Sequence, residues 1–264
     1  MSASPNRLIL AAGRSERFGD ADKLAQDIGG RPLLMRTVEL FTKREEVRSI
    51  LVAGPPDSLE DFKNRYGASL GFHGARIVEG GRAERWESVR NALGEAPDCS
   101  HIAVHDAARP VVSKSLLDRL FQAAKSLAAV VPAIQIAATV KRVTQETTDV
   151  ADRAEEALAD AILGEVGRQS IHARKVCETI DRQGLVEVQT PQIFQAELLR
   201  RAYEQDKLDG ATDDAMLVER LGEAVHVIDG DRSNIKVTTQ GDLKLVRALL
   251  GVRPPADRPV HKRF

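Results

Sequence analysis

The chain has 264 residues, of which 42% are hydrophobic and 29% are charged, and its formal net charge is −1. This length and composition predict a globular protein with a full core, and the balanced charge argues against a nucleic-acid polymer or a membrane as the main partner. The two cysteines, Cys99 and Cys177, form no CxxC pair, so we expect neither disulfides nor structural zinc, and we expect a reducing cytoplasm. The apolar run LIL near the start is too short for a signal peptide or a membrane span.

Strand-like and helix-like segments alternate through the first half of the chain. Apolar runs such as RLILAA, VRSILVAGPP and AAVVPA predict buried strands, and HIAVHDAARP predicts a strand that ends in a charged loop. Between them, RPLLMRTVELFTKR places Leu34, Val38 and Phe41 on one helical face, and SKSLLDRLFQAAKSLA opens with a serine cap. The pattern is typical of an α/β fold with a parallel sheet covered on both faces, in which chemistry gathers at the carboxyl ends of the strands.

The second half of the chain is less regular. ATVKRV, VCETIDR and LVEVQT predict strands, but about thirty residues of different character separate the first two. Within them, AEEALADAILGEV places Leu158, Ile162 and Val166 on a helical stripe that could pack on its own subunit or on a partner. We predict a single domain over 1–251 with an arm or insertion over about 139–190, and a flexible tail over 252–264.

The loop after the first strand combines small residues with cations. Ala11, Ala12 and Gly13 would let backbone amides approach a phosphate, and Arg17 and Lys23 would supply positive charge. The spacing fits neither a Walker loop nor a GxGxxG dinucleotide fingerprint. Taken alone, such a glycine-bearing turn is more often a flexible loop with solvated charges.

Three later segments carry polar residues that could serve a site. VHDAARP presents Asp106 and Arg109 at the end of a strand, where a carboxylate can hold Mg²⁺ and an arginine can bind a phosphate. NIKVT predicts a strand with Lys236 either in solvent or aimed at a site. In ATDDAMLVERLG we predict that Thr212 caps a helix and that the two aspartates after it complement the helix dipole. Each of these features alone favours a purely structural role.

Taken together and in order, the motifs are far more specific. LILAAGRSERFG…DK, GGRAERWESV, VHDAARP, TVKRV, TIDR, QTPQIF, ATDD and NIKVT resemble those of the methylerythritol phosphate cytidylyltransferase family of the non-mevalonate isoprenoid pathway, from about Arg7 to Leu250. The resemblance implies a Rossmann-like nucleotidyltransferase (GT-A-like) sheet, mostly parallel, with a protruding dimerisation arm. It implies transfer of CMP from CTP to 2-C-methyl-D-erythritol 4-phosphate with release of pyrophosphate, using Mg²⁺, in a cytoplasmic homodimer.

The resemblance also implies a role for each matching residue. The catalytic cations would be Arg17, Lys23 and Lys236. The nucleotide would be bound by Ala11, Ala12, Gly13, Gly81 and Ser88. The sugar-alcohol phosphate would be bound by Asp106, Arg109, Thr139, Arg182 and Thr212. Asp106 would also lie near the metal ion, and Arg182 would reach the site from the partner subunit.

The sequence departs from the family pattern in four places. The usual Pro-Lys-Gln is Asp22-Lys23-Leu24, so an acid precedes the lysine. GGRAERWESV is one residue longer than usual, so that either Gly80 or Gly81 could hold the cytidine position. Ala138 stands where a cysteine is common, and a long insert falls in the arm.

Two alternatives remain from the sequence. A ribitol phosphate cytidylyltransferase would share the reaction and differ in the acceptor alcohol. A non-catalytic nucleotide-binding protein would need no converging cations, so the presence of Arg17, Lys23 and Lys236 together argues against it.

Overall fold

The computed structural model describes residues 7–12, 22–150 and 171–252. Outside these residues lie several sequence-predicted features: Gly13, Arg17, the helical stripe of Leu158, Ile162 and Val166, and the tail beyond Val252. The chain divides into two compact units, one of Met1–Ile134 with Val188–Phe264 and the other of Gln135–Glu187.

The elements follow one another in the predicted alternation through the first half of the chain. The strands are β1 (Arg7–Ala12), β2 (Val47–Gly54), β3 (Ala75–Glu79), β4 (His101–Asp106), β5 (Ala129–Gln135), β6 (Val140–Val143), β7 (Thr148–Val150), β8 (Ile171–Ala173), β9 (Val176–Ile180), β10 (Val186–Val188), β11 (Gln192–Gln195) and β12 (His226–Asp229). The described helices are α1 (Leu33–Thr42), α2 (Leu59–Phe72), α3 (Arg85–Gly94), α4 (Lys114–Ala123), α5 (Ala196–Tyr203), α6 (Asp214–Arg220) and α7 (Gln240–Leu249). Short 3₁₀ turns cover Lys23–Ala25 and Pro56–Ser58.

The central sheet is mostly parallel, as the sequence predicted. β1 lies between β2 and β4 and is parallel to both, and β3 extends the parallel set beside β2. β11 is antiparallel and lies between β4 and β5, while β12 pairs in parallel with β5. The strand order is β3-β2-β1-β4-β11-β5-β10, with β12 also paired to β5, and it brings the carboxyl ends of β1, β2, β3 and β4 to one edge.

Helices cover both faces of this sheet. Ile50 and Val52 belong to one core cluster with α1, α2 and α4, whereas Leu51 between them belongs to another with α3, α5 and α6. Because successive strand residues point to opposite faces, the two clusters lie on opposite sides of the sheet. The predicted helical face of Leu34, Val38 and Phe41 is buried in the first cluster.

The described part of the second unit contains two antiparallel ribbons. β6 pairs with β9 and β7 pairs with β8. None of its described hydrophobic side chains is buried, and Ile171 and Val176 are 64% and 51% exposed. The unit overlaps the arm predicted over about 139–190, and the described ribbons have no core of their own.

The predicted strand NIKVT is wrong. Residues 234–238 form an extended connection outside any strand, and its backbone is held where Val237 N donates to Ala108 O at 2.8 Å. Val237 is buried beside Ile28, Leu33 and α7. Because successive side chains of an extended backbone point to opposite sides, the side chain of Lys236 points away from that core. Among the described helices, none is both long and apolar enough to cross a membrane.

Candidate active site

A cleft opens where β2 ends. It is bounded by the end of β2 with the residues after it, by the Lys23 turn, by the first three turns of α2 and by Gly81 with Ser88. Three residues predicted from the sequence therefore meet here: Lys23, Gly81 and Ser88. Lys23 is only 7% exposed, although a lysine in a loop would ordinarily extend into water.

The glycine loop between β3 and α3 is tightly packed. Gly81 N donates to Ser88 Oγ at 2.8 Å, and Glu87 Oε2 accepts from the backbone of Arg82 and of Ala83, both at 2.8 Å. A Cβ on Gly81 would lie 2.2 Å from Glu87 Cβ, so no larger residue fits there without movement. Gly81, rather than Gly80, lines the cleft, which favours Gly81 for the cytidine position.

Asp106 ends β4 and is surrounded by cations. Its Oδ2 lies 2.9 Å from Lys236 Nζ and 3.4 Å from Arg109 Nε, and its Oδ1 lies 3.6 Å from Arg85 Nε. Burial would raise the pKa of Asp106, but Arg85 and then Lys236 hold it well below its ordinary value. The structure thus brings together Asp106, Arg109 and Lys236, which the sequence predicted separately.

The main chain around Asp106 is held by buried hydrogen bonds. Asp106 N donates to Thr190 Oγ1 at 3.0 Å, and Thr190 Oγ1 lies 3.0 Å from His105 Nδ1. His105 Nε2 lies 3.0 Å from the carbonyl oxygen of Arg109, which can only accept, so Nε2 carries the proton and Nδ1 accepts from the Thr190 hydroxyl. Burial lowers the pKa of His105 to about 4, and the imidazole is therefore neutral.

Arg85, at the first position of α3, joins Asp106 to a second buried acid. Its Nη2 lies 2.8 Å from Asp214 Oδ2, and Tyr203 donates to Asp214 Oδ1 at 2.5 Å. Burial lowers the pKa of Arg85, but Asp214 and Asp106 raise it above its ordinary value. The sequence indicated no role for Arg85 or Tyr203, and the one signal available was an arginine in the first turn of a helix, where acids are favoured.

The helix start at ATDD differs from the prediction. Asp213, not Thr212, is the N-cap of α6: its Oδ1 accepts from Met216 N at 3.0 Å. Asp214 is fully buried and pairs with Arg85 instead of facing solvent at the helix end. Thr212 is exposed, which leaves its hydroxyl accessible to a ligand.

The other predicted residues are placed as follows. Ala11 and Ala12 end β1, and Ala12 lies opposite Asp106 in the register. Arg109 is buried and donates to Asn234 O at 2.7 Å. Thr139 and Arg182 lie in the second unit, where both are exposed and Arg182 donates to Ala137 O.

No group of three or more His, Cys, Asp or Glu side chains that could hold a metal ion occurs among the described residues. Asp106 stands as a single carboxylate, and Arg85 Nε at 3.6 Å is too distant from its Oδ1 for a hydrogen bond. One carboxylate oxygen with spare capacity fits Mg²⁺ that is held mainly by substrate phosphates and water, and it does not fit an all-protein metal site.

A mostly parallel α/β sheet whose carboxyl edge carries this cleft and this cluster of cations defines a protein of the nucleotidyltransferase class. The family model IspD, described as 2-C-methyl-D-erythritol 4-phosphate cytidylyltransferase, matches residues 6–163 and 157–252. The chain therefore belongs to the 2-C-methyl-D-erythritol 4-phosphate cytidylyltransferase family, which confirms the resemblance.

Individual relatives agree with this membership. A Bacteroides fragilis protein of that name is 34% identical over 244 residues, which cover 92% of this chain and 98% of the relative. A Frankia casuarinae protein of the same name is 37% identical over 260 residues, which cover 97% and 85%. A crystal structure of 4-diphosphocytidyl-2C-methyl-D-erythritol synthase matches with a TM-score of 0.70 at 29% identity, covering 94% of this chain and 100% of the other. Ribitol phosphate transfer and a non-catalytic role are not favoured.

Proposed function

We propose that this chain transfers CMP from CTP to 2-C-methyl-D-erythritol 4-phosphate, giving 4-diphosphocytidyl-2-C-methyl-D-erythritol and pyrophosphate. One observation carries the proposal. The cleft lined by Lys23, and Asp106 with the cations around it, lie next to each other at one edge of the sheet. Helix α3 links the two, because Ser88 lines the cleft and Arg85, one turn earlier, contacts Asp106. An anion bound in the cleft therefore lies near the cations that would receive a second anion.

The reaction joins two anions, and charge is the main obstacle. An oxygen of the acceptor phosphate attacks the α-phosphorus of CTP, a new P–O bond forms, and the bond to the β-phosphate breaks as pyrophosphate leaves with the electron pair. Three cations, Arg85, Arg109 and Lys236, surround the two buried carboxylates of Asp106 and Asp214. One positive charge is therefore left over to attract a phosphate.

For the individual residues we propose the roles that the family resemblance implies. Lys23, with Arg17 from the same loop, would contact the triphosphate, while Lys236 would act from the Asp106 side. Gly81 and Ser88 would hold the cytidine, and the small residues Ala11, Ala12 and Gly13 would let the nucleotide approach the backbone. Arg109 and Thr212 would bind the acceptor. The resemblance alone gives the same role to Thr139 and to Arg182, the latter from the partner subunit.

Mg²⁺ is proposed as the metal, with Asp106 as the protein group that holds it alongside the phosphates. When bound, the ion neutralises phosphate charge. We also propose a homodimer, since the described ribbons of the second unit bury no apolar side chain of their own. A cytoplasmic location would suit Cys99 and Cys177, which are both free thiols.

The test is CTP-dependent release of pyrophosphate with a panel of sugar-alcohol phosphates. We expect turnover with 2-C-methyl-D-erythritol 4-phosphate, and a loss of about 10²-fold or more in kcat for Lys23→Ala and for Lys236→Ala. Lys63→Ala, at an exposed lysine of α2, is the control and should keep native turnover. Good turnover of ribitol phosphate alone would contradict the acceptor, and unchanged release in both variants would contradict the catalytic roles.

A further inference from the structure

Asp22 stands directly before Lys23, where the family pattern has proline. Its φ is −61°, which is the angle that a proline ring imposes. In this chain that angle is held by side-chain contacts: Asp22 Oδ1 accepts from Leu24 N at 3.0 Å, and Oδ2 pairs with Arg65 Nη1 at 2.5 Å. We propose that Asp22, Arg65 and Tyr66 form a clasp that positions Lys23 as a proline would.

The clasp is anchored to a rigid element. Tyr66 donates from its hydroxyl to Asp22 Oδ2 at 3.2 Å, and its ring is buried against Phe62 with centroids 4.8 Å apart. Burial, and then the nearby Asp22, raise the pKa of Tyr66 to about 12, so the phenol keeps the proton that it donates. Since Phe62, Tyr66 and Leu70 fix α2 in the core, the clasp ties the Lys23 turn to the body of the protein.

The turn that results is closed by backbone hydrogen bonds on either side of the lysine. Ala25 N donates to Asp22 O, and Gln26 N donates to Lys23 O, both at 3.2 Å. Lys23 is thereby directed to the cleft shared with Gly81 and Ser88. A cation that is already oriented contributes more to a transition state than one that must first be ordered.

The negative charge of Asp22, which stands in place of a proline, is also neutralised. An isolated carboxylate beside Lys23 would weaken the attraction for a triphosphate, but Arg65 pairs with that carboxylate and restores the balance. Asp22 and Arg65 therefore form a pair without net charge beside Lys23. The clasp rests on the proposed function, because it acts through the proposed catalytic lysine, and Asp22, which lines the same cleft, has the role of a positioning residue.

The experiment compares Asp22→Ala with Asp22→Pro. Alanine removes the contacts and leaves φ free, so we expect kcat to fall about tenfold with little change in KM for CTP. Proline removes the same contacts but fixes φ, so we expect kcat within about twofold of the native value. Arg65→Met and Tyr66→Phe should lower kcat in the native chain, and Arg65→Met should cost less in the Asp22→Pro background.

A second measurement is independent of turnover. Hydrogen exchange at the amides of Ala25 and Gln26 reports the turn directly, since their carbonyl acceptors survive every substitution. We expect exchange to be faster in Asp22→Ala and native-like in Asp22→Pro. Glu60→Ala and Lys63→Met, which break an exposed ion pair on the same helix, serve as controls and should change neither readout.

Three outcomes would overturn the clasp. If Asp22→Pro is as impaired as Asp22→Ala, the carboxylate matters for its own chemistry and not for the angle. If Asp22→Ala matches the native chain in kcat and exchange, the contacts position nothing. If Asp22→Ala lowers KM for CTP, its charge is the dominant effect. Absence of turnover in the native chain would refute the proposed function, while amide exchange would still test the clasp.

Discussion

Asp106 remains ionised inside the protein because cations surround it, although water scarcely reaches it. The residue is 6% exposed, and the fully buried Asp214 lies on the other side of Arg85. Arg85 is therefore shared between two acids that would otherwise repel each other. A buried carboxylate that loses its cation costs far more than the pair contributes in net terms.

Arg85→Met tests this dependence. We expect the free energy of unfolding to fall by about 3–5 kcal/mol at neutral pH, because the buried carboxylates Asp106 and Asp214 both lose the cation that they share. The measurement is urea-induced unfolding, with Arg76→Met as the control. Arg76 is exposed, where it pairs with the Glu95 carboxylate and donates to the Glu95 backbone oxygen, so its loss should change stability by less than about 1 kcal/mol.

The pH dependence of this deficit follows from the pKa of Asp106. The native cations hold the pKa of Asp106 below its ordinary value. The stability that they confer is therefore present at any pH above the ordinary pKa of an aspartate, and it is lost as the pH falls. The deficit of Arg85→Met should therefore narrow below about pH 4. A variant as stable as the native chain at neutral pH would contradict the role of Arg85.

At the residue scale, candidate site residues could be predicted from the sequence more readily than the ion-pair partners of those residues. Asp106, Arg109 and Lys236 were candidates by type and position, and the structure places Arg109 and Lys236 each within 3.4 Å of the Asp106 carboxylate. Arg85 and Asp214 could not be paired from the sequence, because an ion pair between distant segments depends on how α3 and α6 pack. Asp22 was identifiable as a departure, but its partners on α2 were not.

At the scale of elements, the loop from Gly80 to Glu84 and the first turn of α3 act as one rigid piece. Glu87 accepts from three successive backbone amides of the loop and also completes the capping box with Glu84. Hydrogen bonds to these amides lower the pKa of Glu87, so it remains an anion and a constant acceptor. The position of Gly81 in the cleft is thus set by the helix that also carries Arg85.

Gly81→Ala should damage this piece. The added Cβ meets Glu87 Cβ at 2.2 Å and Ser88 N at 2.9 Å, so we expect a loss of about 1–3 kcal/mol in unfolding free energy and a several-fold rise in KM for CTP. Gly67→Ala makes the same chemical change inside α2, where nothing lies within 4 Å of the new Cβ. That control should instead gain about 0.5–1 kcal/mol. Thermal or urea unfolding with CTP titration measures both, and equal effects in the two variants would refute the prediction.

The elements themselves were largely predictable, whereas their order in the sheet was not. Uninterrupted apolar runs and amphipathic segments placed β1, β2, β4 and β5 with α1 and α4, because parallel strands buried on both faces leave that pattern. The insertion of the antiparallel β11 between β4 and β5 leaves no periodic signal. NIKVT has the composition of a strand, but its backbone pairs with a loop at Ala108 and not with a sheet.

At the scale of the whole molecule, the two units differ in how they are stabilised. The first has cores on both faces of its sheet, and the second has ribbons in which none of the described apolar side chains is fully buried. A ribbon of this kind is marginal by itself and gains stability by packing against another surface. The proposed homodimer would supply such a surface. Arg182, which we propose as a residue that binds the acceptor phosphate, belongs to this unit.

Mixed dimers test both proposals together. We expect Arg182→Ala and Lys23→Ala to be inactive separately, because each lacks one of the proposed charges. If Arg182 serves the partner's site, a mixed dimer has one complete site, formed by Lys23 of one subunit and Arg182 of the other. Random reassociation of equal amounts makes half the dimers mixed, so about a quarter of native pyrophosphate release should return. The doubly substituted chain mixed with native chain is the control, and sedimentation checks the dimer. If activity stays absent although the subunits demonstrably exchange, Arg182 acts within its own chain; if the native chain sediments as a monomer, the homodimer itself is wrong.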